Sequence, residues 1–439
     1  MAARKSRSTA WATAAVTAAL CLGTGAAPAR ADATVASAAA DPVVNGGFVM
    51  SSDYLGLDGV VRVLPEPFDP DWSFITSSPD GAALAFTTPP GSPTDNDALW
   101  VIPSGGAPQE VAMLGDGVTE HLAWSPDGTM IATEGFLWRR STDTYRSFVY
   151  LVDVSDHSVR TLVDTGWAND IHLDGLTWAP DSSRIAVAAV DETSWVSDLR
   201  WVDAASGAAT SVTHLCAWSG WTADCTGSPE QSGFSHGVDL SPDGTTFLSG
   251  DDHGMLSAID STTGEARALG LAGENPVWSP DGARFAYTSS RKQSGLWQNV
   301  TYTAAADGSD PRLETVNLRG IADWQPCTSA SCPTFGTPRG TARMGKVSSS
   351  HTARYLDVAM TIQPAGPQRD YLEDGPVVLQ RRTASGWKAV YKGATEGANG
   401  YTYELRLPRP APGTCRLKLN YLGDPWTEPA KLTTPQMAC

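Results

Sequence analysis

The chain has 439 residues, 41% of them hydrophobic, with 31 basic against 48 acidic side chains and a formal charge of −17. The acid excess argues against nucleic acid or anionic lipid as partners, because both are bound through Lys and Arg that neutralise phosphate. Past the leader, no apolar run is long enough to cross a bilayer as a helix.

The chain opens with Arg4, Lys5 and Arg7, an apolar run from Trp11 to Leu22, and the small residues of Ala29-Arg30-Ala31 ahead of Asp32. This pattern predicts a secretory signal over 1–31, hence an exported protein, secreted or held in the cell envelope. Its removal takes away Arg4, Lys5, Arg7 and Arg30 and leaves 27 basic residues against 48 acidic, a balance of −21. Residues 32–44, rich in Ala and Val, predict a flexible leader. Six cysteines remain in an oxidising compartment, and their local couples suggest disulfides Cys216–Cys225, Cys327–Cys332 and Cys415–Cys439 rather than a zinc site.

From Gly47 the text is strand-like, and one phrase keeps returning. Ser78-Pro79-Asp80-Gly81 leads into Leu84-Ala85-Phe86, and Trp124-Ser125-Pro126-Asp127-Gly128 into Ile131-Ala132. Trp178-Ala179-Pro180-Asp181 precedes Ile185-Ala186-Val187, and Leu240-Ser241-Pro242-Asp243-Gly244 precedes Phe247-Leu248. Trp278-Ser279-Pro280-Asp281-Gly282 precedes Phe285-Ala286-Tyr287, and a worn copy, Asp323-Trp324-Gln325-Pro326, closes the series. The prolines are 47, 54, 62, 38 and 46 residues apart, a spacing that predicts an array of supersecondary units. Proline presets the first corner of a turn, Asp caps it, and Gly takes the positive-φ position. The five Asp of the phrase are therefore turn residues, not catalytic acids. The small residue in large-Ala-large lets neighbouring sheets pack face to face.

Each repeat then offers two further strand-like runs, such as Phe148 to Val152 followed by Val159 to Leu162. Five units are complete. The sixth contributes only an inner strand, and the unpaired runs at 47–64 are placed to finish it, which would remove the open sheet edges of an unclosed array. We expect an all-β chain with a six-bladed β-propeller over 45–326; a seventh blade would need a degenerate copy within the 62-residue step.

The Trp-Ser-Pro-Asp-Gly phrase followed by Ile-Ala or Phe-Ala, closed by a degenerate Asp-Trp-x-Pro, resembles the TolB-like propeller repeat, itself a WD-like repeat. The resemblance covers about 280 residues. It implies the propeller fold, and a repeat found in periplasmic binding propellers, in caps of prolyl-oligopeptidase-like peptidases and in some polysaccharide lyases. A peptidase would need a nucleophile elbow on a large α/β domain, and the chain outside the repeats is too short for one.

Residues 327–349 predict a linker with a local disulfide. Over 350–439, strand-like runs recur at Tyr355 to Ile362, Val377 to Arg381, Trp387 to Tyr391, Tyr401 to Leu407 and Cys415 to Tyr421. The text Gly386-Trp387-Lys388, Gly400-Tyr401-Thr402-Tyr403, Pro412-Gly413-Thr414-Cys415 and Tyr421-Leu422-Gly423-Asp424 resembles bacterial immunoglobulin-like domains, implying a small immunoglobulin-like β-sandwich. Cys415 stands where such domains usually have Tyr.

Propellers generally bind ligands where their inner strands converge. Counting back four residues from the Trp position of each phrase gives Ser73, Glu120, Asp174, His236, Glu274 and Gly320, with His121 and His172 beside them. We take Glu120, His121, His172, Asp174, His236 and Glu274 as a candidate channel-mouth site. Their carboxylates and imidazoles suit a divalent cation such as Ca²⁺ or Mn²⁺ if they converge; otherwise they form a solvated acidic rim and no cofactor is needed. A second candidate is Trp218 with Trp221, between Cys216 and Cys225, where indoles either face a sugar or peptide or fold back on their own loop. Nothing in the residues demands chemistry. The expected function is a secreted, monomeric, non-catalytic propeller binding a protein or glycan; the alternative is a metal-assisted polysaccharide lyase or glycoside hydrolase at the channel mouth.

Overall fold

The computed structural model describes residues 43–439 except 52, 69–73, 89–96, 115–117, 140, 143, 168–170, 192–195, 226–236, 252, 294–295, 317–319, 328–331, 345–347, 353, 366–370, 399–400, 409–413, 423–426, 429, 435 and 439. The described residues are all-β, without a helix. The predicted leader at 1–31 lies outside them, as does most of 32–44.

Five antiparallel sheets of four strands follow one another along the chain. Their first strands are Ile75–Ser77, Val118–Trp124, Ile171–Trp178, Val238–Leu240 and Glu274–Trp278. In each, the Pro-Asp turn joins the first strand to the second. Ser125 Oγ donates to Asp127 Oδ1 at 2.7 Å, and the Thr129 amide donates to the same oxygen at 3.0 Å. The pattern recurs at Asp80, Asp243 and Asp281, with Gly81, Gly128, Gly244 and Gly282 all at positive φ. Turn chemistry therefore accounts for these aspartates.

A further sheet joins the two ends of the repeat region. The strand Ile321–Cys327, from the worn phrase, pairs with Val44–Met50, which continues into Asp53–Leu55 and Val61–Val63. Phe48 lies opposite Trp324, as the unpaired runs at 47–64 predict. The first strand of each sheet touches those of the sheets before and after it, and the circuit closes where Ile321–Cys327 meets Ile75–Ser77.

The core lies between the sheets and has a direction. Leu84 and Phe86 pack back onto Val49 and Tyr54 of the preceding sheet, whereas Ala85 packs forward with Ile131 and Val152. Ile185 and Val187 likewise face back and Ala186 forward; Phe285 and Tyr287 face back and Ala286 forward. Alternation along a strand sends neighbours to opposite faces. The large-small-large triplet thus gives these three sheets a bulky back and a thin front, while in Phe247-Leu248 the forward residue is large.

The 62-residue step holds no further four-stranded sheet among the described residues. It carries the hairpin Cys216–Ser219/Thr222–Cys225, with Cys216 opposite Cys225. Cys216 and Cys415 each belong to a separate disulfide, and Cys327 is bonded to Cys332. The partner predicted for Cys415, Cys439, lies outside the described residues.

The segment expected as a linker carries short strands. Thr337–Pro338 pairs with Val61–Val63, and the Arg339 guanidinium makes a bidentate pair with Asp53, at 3.2 and 2.6 Å, with both side chains buried. Its Pro and Gly read as breakers in sequence, but this buried ion pair and the Phe335 ring against Tyr54 fix the backbone. Beyond it, two sheets built on Tyr355–Ala365 and on Tyr371–Thr383 share one core, in which Leu356, Val358 and Ile362 meet Val377, Leu379, Leu419 and Tyr421.

Two outcomes check this packing. A Cβ at Gly81 would collide with the Pro326 carbonyl, whereas at Gly128 it meets only Pro79 Cγ at 3.6 Å. Gly128→Ala should therefore cost about 1–2 kcal/mol from the left-handed backbone alone, and Gly81→Ala clearly more; equal losses in chemical denaturation would contradict the tight closure. Arg339→Ala leaves Asp53 buried without its cation and should cost about 3–5 kcal/mol in the same assay.

Candidate functional site

The circuit of first strands encloses a cavity of about 330 Å³. Its wall is three consecutive residues from each of six strands, 74–76, 121–123, 175–177, 237–239, 275–277 and 321–323, together with Ser51. These triplets are the residues one to three places before the Trp position of each phrase, so the six strands run in equivalent register. Glu120, Asp174, Glu274 and Gly320, four places before it, stand next along the chain, at one rim.

At that rim the ladders are irregular. The register shifts at Glu120, at Asp174-Gly175 and at Asn275-Pro276. Such bulges turn a side chain away from its place in the pleat. Gly175 has φ +99°, and a Cβ there would press on the Val238 amide at 2.9 Å, so only glycine fits.

Four of the six predicted rim residues come together. His172 Nε2 lies 3.2 Å from Glu120 Oε2, and His121 Nδ1 lies 2.9 Å from Glu134 Oε1. The Gly175 amide donates to that same Glu134 oxygen at 2.9 Å. Asp174, half-buried, sits within the field of all four groups; burial pushes its carboxyl up to about 6, with Glu134 and Glu120 adding to the rise and the two imidazoles opposing it. Glu274 is half-buried at the equivalent place two sheets on and shares none of these bonds. His236 lies outside the described residues. Among the described residues no three His, Cys, Asp or Glu side chains are grouped to hold a metal ion.

Several residues of the rim escaped the sequence reading. Glu134 lies opposite His121 in the ladder and is 1% exposed, with its Oε2 lacking any hydrogen-bond partner. The signal was present: a carboxylate inside the buried run Ile131-Ala132-Thr133-Glu134. The Tyr145 ring stacks on His172 at 5.4 Å, the Phe136 ring meets that imidazole edge-on at 5.2 Å, and Phe74 lies 5.7 Å from His121. At the other end of the wall, Asp239 and Asp323 tie neighbouring first strands together. Asp239 accepts from Thr177 Oγ1 at 3.1 Å and from the Trp278 amide at 2.7 Å, and Asp323 accepts from Thr76 Oγ1 and the Ser77 amide.

Trp218 and Trp221 fold back on the molecule. The buried Arg200 guanidinium lies over both rings, 4.2 and 4.6 Å from their centroids, and donates to the Gly220 carbonyl at 2.8 Å. Trp218 Nε1 donates to Asp198 at 2.7 Å. The pentapeptide Gly233-Phe234-Ser235-His236-Gly237 has the Gly-x-Ser-x-Gly spacing. A nucleophile elbow needs a strand, a turn and a helix; here Gly237 leads into the strand Val238–Leu240.

No protein-family model matches the chain, and no curated protein sequence matches it. Among solved structures it is similar to two variants of an exo-β-1,3-galactanase from Phanerochaete chrysosporium bound to β-1,3-galactotriose. Identity is 9% and 8%, 90% of this chain is covered against 99% and 100% of theirs, and the TM-score is 0.42 for each. At that level neither fold nor activity carries over.

The His121–Glu134 pair makes a pH prediction. Burial alone would lower the imidazole pKa, but Glu134, with Asp174 and Glu120 behind it, outweighs burial and raises it from 6.5 to about 9. A raised folded-state value means that the pair's stabilisation is complete below about pH 6.5 and is lost as pH rises through about 9. Glu134→Gln should lower the His121 midpoint in an NMR titration and flatten the fall in melting temperature over that window. An unmoved midpoint would show that Glu134 does not hold the imidazole.

Proposed function

We propose that the chain is an exported six-bladed β-propeller of the TolB-like repeat type over 45–326, followed by an immunoglobulin-like β-sandwich over 350–439. It acts as a non-catalytic binding protein whose ligand, a protein or glycan group, seats at the rim of the central cavity. The observation that carries this reading is the wall of equivalent triplets from six strands, ending on one side in an ionisable, aromatic-flanked rim. Sites of this kind are concave, largely apolar and carry a few placed polar groups. The Trp218 and Trp221 rings, engaged by Arg200, make the hairpin a stabilising cover in this reading.

A glycoside hydrolase at the same rim is favoured by one feature, the Asp174 carboxyl held protonated up to about 6, within the range that suits a general acid. In that case Asp174 would donate the proton, with Glu120 beside it.

The mature protein, immobilised and exposed to cell-surface material of its producing organism, should retain a component that protects Phe74, His121 and Leu122 from hydroxyl-radical labelling. Met113 and Leu313, exposed on outer strands, should stay reactive. Protection centred on those outer residues, or on Tyr355, would remove the cavity reading. Release of reducing ends from the retained glycan, abolished by Asp174→Asn, would replace binding by hydrolysis.

A further inference from the structure

We infer that the group recognised at this rim is an organic ammonium on an apolar stem, such as a lysine side chain or a free alkylamine. This rests on the cavity being the binding site and adds the chemistry of what enters it. Three carboxylates, Glu120, Glu134 and Asp174, face two imidazoles, and no Lys or Arg stands among the described residues of the wall and rim. The rim is therefore net negative near neutral pH.

Glu134 supplies an independent observation. It is 1% exposed, and its Oε1 is taken by His121 and by the Gly175 amide, both on the cavity wall, while Oε2 accepts from nothing. A buried carboxylate oxygen without a donor is costly, and an ammonium brings three donors. Phe74, 36% exposed, and the stacked Tyr145 place aromatic rings at the same rim, where a cation is attracted to the ring faces. Below the rim, Leu122, Leu176, Val238 and Val277 offer an apolar wall in a space sized for a single extended side chain. An anion would meet the carboxylates, and a neutral alcohol would bring them no charge and a single donor.

Hexylammonium, hexanol, hexanoate and the peptide acetyl-Gly-Lys-Gly-amide, titrated calorimetrically into the mature protein, test this. Hexylammonium should bind about tenfold or more tightly than hexanol, as charge-assisted bonds imply, and raised salt should erode the difference. Glu120→Gln and Asp174→Asn should each weaken hexylammonium while the protein still melts cooperatively, whereas Glu265→Gln, exposed on another loop, should leave the affinity unchanged. Binding of the lysine peptide as well as the amine would point to a polypeptide source, and of the amine alone to a small molecule; either supports the inference. Equal affinity for hexanol and hexylammonium, preference for hexanoate, or silence with all four probes while the rim is protected by surface material would overturn the cation and leave the cavity reading standing. Protection away from the rim would remove both.

Discussion

The structure depends on the antiparallel ladder between Val44–Met50 and Ile321–Cys327, in which the start of the repeat region supplies the outer strands to its last inner strand. Without it, Ile321–Cys327 would expose an unpaired edge, and the sheet of Ile75–Ser77 would lose the neighbour that buries its back. Three reinforcements lie at the same place. Trp324 Nε1 donates to the Gly46 carbonyl, the buried Gln325 side chain binds both the Tyr54 hydroxyl and the Gly81 carbonyl, and Gly81 packs against Pro326. The worn phrase has lost its Asp-Gly turn because the chain does not turn there. It kept the Trp and gained a Gln that a turn would have no use for.

The circuit makes the cavity, and the cavity sets the chemistry of its rim. The six strands approach one another at their starts, and three of the six matching places there hold Gly175, Gly237 and Asn275 with left-handed φ. The bulges that relieve the crowding also turn Glu120 and Asp174 toward the two histidines. Packing geometry and the acid–imidazole cluster are thus one feature seen twice.

Much of this was legible in the sequence because turns and alternation are local. Pro126-Asp127-Gly128 names its hairpin, Ile131-Ala132 names two faces, and the run at 47–64 announces strands without a partner. The rim was legible only where register sufficed: counting from Trp124 and Trp178 finds Glu120 and Asp174. Glu134 was not found, because its meeting with His121 depends on a one-residue bulge that no repeat spacing encodes. Tyr145 reaches His172 from a third strand of another sheet, a contact set by the packing angle of two sheets. Arg339 looked like part of a breaker-rich tether because its partner, Asp53, is 286 residues away in the chain.

That distant ion pair has a mechanical meaning. The C-terminal sheets connect to the repeat region through Thr337–Pro338, laid along the outermost strand Val61–Val63, with Arg339 locked to Asp53 one strand further in. Tension applied through the C-terminal sheets meets this short pairing and the buried Arg339–Asp53 ion pair first. The wall strand Ile321–Cys327 lies just ahead of this clamp in the chain, so the clamp stands between a pull on the tail and the mouth of the cavity.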